Sequence, residues 1–117
     1  MDEQVTLSKQ MEDDGGGSVS LINKFTIKAE DVDQFLKAWT DDAAIFKQQP
    51  GFISTQLHRG IAGSGTYINY AVWESVAAYN EAASKVGIQA RLSNYPVSTV
   101  ASPHLFKKLA VPGICIE

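Results

Sequence analysis

The sequence predicts an α+β fold of the ferredoxin-like kind: β-α-β-β-α-β, an antiparallel sheet with its helices on one face. Three observations predict it. Segments whose apolar residues alternate with period two flank segments in which they recur every three or four residues. The breakers Pro50-Gly51, Ala62-Gly63-Ser64-Gly65 and Tyr95-Pro96 fall between these segments. The order of the two kinds of segment is the split βαβ order.

Each element follows in turn. The first strand is expected over 19–27, where Val19, Leu21, Phe25 and Ile27 share one face and Asn23 interrupts the apolar row. Asn23 is read either as an amide satisfied by nearby backbone or as a pocket-lining group. Ala29-Glu30-Asp31 opens a helix with acidic residues in its first turn, where they complement the helix dipole. Val32, Phe35, Leu36, Trp39, Ala43 and Phe46 form its apolar stripe, and Pro50-Gly51 ends it. The second strand spans 52–59. Strict alternation puts Phe52, Ser54, Gln56 and His58 on one face and Ile53, Thr55, Leu57 and Arg59 on the other.

A hairpin through Ala62-Gly63-Ser64-Gly65 leads to the third strand, 66–73, with Tyr67, Asn69, Ala71 and Trp73 on one face. Ser75 is placed to cap the next helix. Tyr79, Ala82, Ala83 and Val86 recur at helical spacing, Gly87 breaks the run, and a second helical piece is expected over 88–92. The last strand is expected over 97–107, with Pro103 arguing for an edge position or a bulge. Val111-Pro112-Gly113-Ile114 begins a tail that could add an edge strand. Residues 1–17, ending in Asp13-Asp14-Gly15-Gly16-Gly17, are expected to be a flexible leader, and 18–117 the folded domain.

Composition bounds the function. The chain has 117 residues, enough for one domain; 44% are hydrophobic and 20% charged. A net charge of −3 without a Lys/Arg stripe argues against a nucleic-acid partner. No apolar run is long enough for a membrane span. The acidic start Met1-Asp2-Glu3-Gln4 lacks the basic and apolar regions of a secretory signal, so a cytoplasmic location is expected. The single Cys115 cannot form an internal disulfide, and no metal-ligand spacing is present. Apolar residues populate both faces of the predicted sheet while the helices cover one. A second copy of the chain is the simplest cover for the other, giving a homodimer packed sheet on sheet.

Asn69 and Trp73, four residues apart on one strand, point the same way, and Tyr79 follows within two helical turns. This polar and aromatic constellation points to a small-molecule site. Each member also has a plain structural reading: core for Trp73, a satisfied amide for Asn69, an interface residue for Tyr79, a solvated strand end for His58.

Pro-Gly-Phe-Ile-Ser-Thr-Gln-Leu-His-Arg (50–59), Tyr-Ile-Asn-Tyr-Ala-Val-Trp-Glu-Ser (67–75) and Ala-Ala-Tyr (77–79) resemble the antibiotic biosynthesis monooxygenase family over residues 19–108. The 69–75 block is the most specific element. The resemblance implies a dimeric α+β barrel of ferredoxin-like protomers. It is nearest to the branch that oxidises aromatic polyketide anthrones to quinones with O2, without metal or flavin. It implies that Asn69, Trp73 and Tyr79 hold the substrate, that His58 lines the site, and that Arg91 is the candidate for a later arginine. A second branch degrades haem and keeps an Asn on the first strand, where Asn23 falls. The second helical region here offers no His ligand, and His104 lies on the last strand.

Such chemistry needs a base, donors for a developing oxyanion and a dry cavity. His58 is the conventional base near neutral pH. Asn69 and Trp73 can donate but cannot act as bases. The expected catalytic residues are therefore Asn69, Trp73 and His58, with Tyr79, Asn23 and Arg91 binding substrate. No cofactor or metal is expected, with O2 as co-substrate and a small aromatic compound as partner. The alternative is a non-enzymatic dimeric binding or stress-response module for hydrophobic ligands. An enclosed pocket containing Asn69 and Trp73 favours the enzyme, and a space filled by side chains favours the module.

Overall fold

A computed structural model describes residues 6–10 and 16–116. Strands β1 (Val19–Thr26), β2 (Phe52–Arg59), β3 (Thr66–Trp73) and β4 (Val100–Phe106) form an antiparallel sheet in the order β2-β3-β1-β4. A helical turn α1 (Leu7–Gln10) precedes it, α2 (Val32–Phe46) follows β1, and α3 (Val76–Val86) and α4 (Ile88–Arg91) follow β3. This is the ferredoxin-like α+β arrangement expected. The sheet of one chain is open rather than closed into a barrel.

Local chemistry accounts for the boundaries. A 3-10 turn over Ala29–Asp31 leads into α2. Gly51 follows at φ +88°, a left-handed conformation that glycine adopts without a Cβ penalty. Its carbonyl accepts from the Glu74 N–H at 2.8 Å, tying the start of β2 to the end of β3. The Ser75 hydroxyl accepts from the Ala78 N–H at 3.0 Å, capping α3 as expected. Gly87, left-handed at φ 70°, ends that helix.

Pro103 lies on an edge strand, where a missing N–H is tolerated. That strand begins at Val100 rather than 97, because 96–99 turn, with the Thr99 N–H donating to the Pro96 carbonyl. The tail folds on itself through a bridge between Val111 and Cys115 and adds no strand to the sheet. Part of the segment expected to be a loose leader is docked. Buried Gln10 accepts from the Leu105 N–H through Oε1 at 2.6 Å, and its Nε2 lies 3.2 Å from His104 Nδ1.

The inner face of the sheet carries Val19, Leu21, Phe25, Tyr67, Ala71, Trp73 and Leu105, all buried beneath the helices. Two clusters result. One surrounds Trp73 with Val76, Tyr79, Ala82 and Ala83. The other joins Phe25, Ile27, Phe35 and Tyr67. Trp73 and Phe35 are fully buried, and burying a side chain of that kind contributes about 1.5–3 kcal/mol. Among the described residues, no helix is long and apolar enough to cross a membrane.

Candidate active site

The two clusters leave a cavity of about 480 Å³ between them. Its floor is the sheet, with Leu21, Asn23 and Phe25 from β1, Asn69, Ala71 and Trp73 from β3, and Thr55 from β2. One wall is α2, through Trp39, Asp42, Ala43 and Phe46. The other is the chain from α3 to Tyr95, through Tyr79, Ala83, Ile88, Leu92 and Tyr95.

β-Register brings the two floor amides together. Asn23 and Asn69 are partners across the β1–β3 pair, and Pro103 faces Asn23 from β4. Thr55 Oγ1 donates to Asn69 Oδ1 at 2.6 Å, which leaves the Asn69 NH2 as the free donor. Asn23 Oδ1 is buried with no hydrogen-bond partner among the described residues. An orphaned buried acceptor costs about 1–3 kcal/mol, so a ligand donor at that atom would be favoured.

Trp73 is gripped edge-on. Phe52, Tyr79 and Phe46 lie 5.4, 5.7 and 6.0 Å from it, ring to ring, at interplanar angles of 90°, 67° and 84°. Such pairs contribute about 0.5–1.5 kcal/mol beyond burial and hold the indole in one orientation. Burial pushes the Tyr79 phenol above its ordinary range, so it lines the cavity as a neutral donor.

His58 is not part of this cavity. A β-bulge between Phe52 and Ser54 resets the alternation of β2, so Thr55 and Leu57 face inward with Phe52 while His58 pairs with Ile68 and is exposed on the opposite face. Arg91 also does not line the cavity. Its Nε donates to Asp42 Oδ1 from behind, and that bond pushes the guanidinium further toward its protonated form. The site therefore brings together Asn23, Asn69, Trp73 and Tyr79, sets Arg91 behind the wall, and excludes His58.

Asp42, Thr55 and Tyr95 are not among the site residues that the sequence predicts, yet all three line the cavity. Asp42 is buried, and its Oδ2 accepts from the Tyr95 hydroxyl at 2.8 Å. Burial, followed by that hydrogen bond, pushes the Tyr95 phenol well above its ordinary value. The signal for Asp42 was present, because it stands three residues after Trp39 and four before Phe46, inside the apolar stripe of α2. Among the described residues, no group of three or more His, Cys, Asp or Glu could hold a metal ion.

A ferredoxin-like α+β protomer enclosing an amide and aromatic pocket defines the class. The sequence model for antibiotic biosynthesis monooxygenases matches residues 18–90, and the chain belongs to that family. It is 32% identical over 69 residues to deoxynogalonate monooxygenase of Streptomyces nogalater, a match covering 59% of this chain and 58% of that protein. The chain thus spans less than two thirds of that relative. The crystal structure of SnoaB, a cofactor-independent oxygenase from Streptomyces nogalater, superposes with a TM-score of 0.72 at 25% identity, covering 83% of this chain and 98% of that one. A point mutant of MhuD, solved with two manganese protoporphyrin IX molecules per active site, superposes with a TM-score of 0.63 at 31% identity, covering 81% and 99%.

Proposed function

We propose that this chain is a cofactor-independent monooxygenase that oxidises an aromatic polyketide-like or quinol substrate with O2. The observation that carries the reading is the pairing of Asn23 and Asn69 beside Trp73 on the floor of an otherwise aromatic cavity. The likeness to SnoaB supports it, as does the open volume where a purely structural module would be filled.

For a ring-flanked CH2 group, two C–H bonds break and a C=O bond forms. One oxygen atom enters the product and the other leaves as water. All four electrons come from the substrate, so no external reductant is required. His58 lies outside the cavity, so the first proton leaves to a water molecule and ends in the departing water, and the enolate so formed can pass an electron to O2. The Asn69 NH2 and the Trp73 indole N–H are available to hold the developing oxyanion, in a cavity lined mainly by apolar and aromatic side chains. Tyr79 adds a neutral phenol donor.

The likeness to MhuD raises a porphyrin as the other occupant. Among the described residues, the cavity lining contains no His or Cys to ligate iron, and this favours the oxygenase reading. The homodimer belongs to the same proposal. Ile22, Ile68, Tyr70 and Val72 lie on the face opposite the helices, where a second sheet would bury them.

The test is O2 uptake with a panel of anthrones and hydroquinones, with and without a metal chelator. Chelator-resistant uptake by the wild type that Asn69→Ala loses supports the proposal. Uptake that the chelator abolishes, or that Asn69→Ala retains in full, defeats it.

A further inference from the structure

We propose that Asp42 is the specificity-determining group of this cavity, its carboxylate accepting a hydrogen bond from a hydroxyl group on the bound aromatic compound. The inference rests on the reading of the cavity as an aromatic-substrate site. Asp42 is a buried carboxylate, 8% exposed, in the middle of the apolar face of α2. A carboxylate placed there costs stability unless it is fully bonded. It is bonded at both oxygens, by Arg91 Nε at Oδ1 and by Tyr95 Oη at Oδ2. A carboxylate has about four acceptor positions, so capacity remains after these two bonds.

Among the described residues that line the cavity, Asp42 is the one carboxylate. The floor supplies Asn69, whose acceptor oxygen is already taken by Thr55, and the indole donor of Trp73. The floor presents the Asn69 NH2 and the Trp73 indole N–H as donors and, at Asn23 Oδ1, an acceptor without a partner among the described residues, while the α2 wall presents the charged acceptor. A compound with a carbonyl toward the floor and a hydroxyl toward α2 satisfies both. One without the hydroxyl leaves the carboxylate facing apolar surface, the situation in which polar sites discriminate most strongly. Arg91 and Tyr95 are positioning residues here, since each acts through the carboxylate they hold.

The experiment measures anaerobic binding, by quenching of Trp fluorescence. The probes are a dihydroxyanthraquinone with its hydroxyls on the outer ring edge and the unsubstituted anthraquinone. Folding of every variant is checked by thermal melting. Wild type should prefer the hydroxylated probe by about tenfold or more, the discrimination a hydrogen bond to a charged group supplies. Asp42→Asn should reduce that preference severalfold, and Tyr95→Phe, which leaves the carboxylate held by Arg91 alone, should reduce it less. Equal binding of both probes by wild type, or an undiminished preference in Asp42→Asn, overturns the inference while leaving the aromatic site standing. Binding of neither probe overturns the aromatic-site reading and this inference with it. If Asp42→Asn does not fold, Asn23→Ala decides: a preference retained in full leaves the acceptor on the α2 wall, and a lost one places it at Asn23 on the floor and overturns the assignment.

Discussion

Asn23 on β1 and Asn69 on β3 face each other across the sheet, and both side chains line the same cavity. Neither position serves the apolar core around it. Asn69 is locked by Thr55, while Asn23 keeps a buried acceptor without a partner among the described residues. Asn69→Ala should therefore lower kcat by about 10²–10³, the usual effect of losing an oxyanion donor, with the melting temperature nearly unchanged. Steady-state kinetics beside a thermal melt checks this; a change confined to KM would mean that Asn69 binds without stabilising the transition state.

Trp73→Phe separates two roles of one side chain. The ring contacts with Phe46, Phe52 and Tyr79 are partly kept while the indole N–H is lost. Stability should fall by about 0.5–3 kcal/mol, and kcat should fall by about 10² or more if that N–H holds the oxyanion. Denaturant unfolding and kinetics on the same preparation distinguish packing from chemistry.

Gly51→Ala should destabilise the pocket from outside it. The residue sits at φ +88°, and a Cβ there would collide with Ala78 Cβ on α3. The left-handed conformation alone costs about 1–2 kcal/mol for a residue with a side chain. The β2 start and the Trp73 end of β3 meet through the Gly51 carbonyl, so activity should fall together with the melting temperature.

High pH should unfold the protein through its tyrosines. Tyr79 and Tyr95 both have phenols raised above the ordinary value of about 10. A raised folded-state value means that stability is complete below the unfolded value of about 10. It is lost as pH rises past it, because the unfolded chain then releases protons that the folded chain retains. Melting temperatures recorded at increasing alkaline pH should decline, and Tyr95→Phe should soften the decline. An unaltered slope in that variant would show that Tyr95 is not linked to folding.

How much of this was legible in the sequence follows from periodicity. Period-two and helical patterns located the sheet, its helices, the Ser75 cap and the shared face of Asn69 and Trp73, because each depends on local spacing. Strict alternation from Phe52 puts His58 on the Phe52 face, but a single bulge after Phe52 reverses the facing of every later residue in β2, and nothing in Phe52-Ile53-Ser54 announces it. Arg91 stands outside the cavity lining and bonds Asp42, 49 residues away, and such a pairing is a tertiary fact that local spacing does not carry. The docking of Gln10 on β4 is equally non-local, joining positions 95 apart at the Leu105 amide.

The half-buried apolar face of Ile22, Ile68, Tyr70 and Val72 makes a further prediction. Light scattering at micromolar concentration should give twice the 12.7 kDa chain mass, and Val72→Lys, on that outer face, should shift the mass toward the monomer. A monomer mass for the wild type would leave Ile22, Ile68 and Tyr70 to some other cover.

The central claim is dioxygen chemistry without a cofactor in the Asn23, Asn69 and Trp73 pocket. The most direct measurement is turnover of an anthrone under isotopically labelled O2, with chelator present and no flavin, nicotinamide or haem added. The account predicts one labelled oxygen atom in the quinone product and one in water, at a rate that collapses in Asn69→Ala. Product oxygen drawn from solvent, or turnover that begins only when a cofactor is supplied, would contradict it.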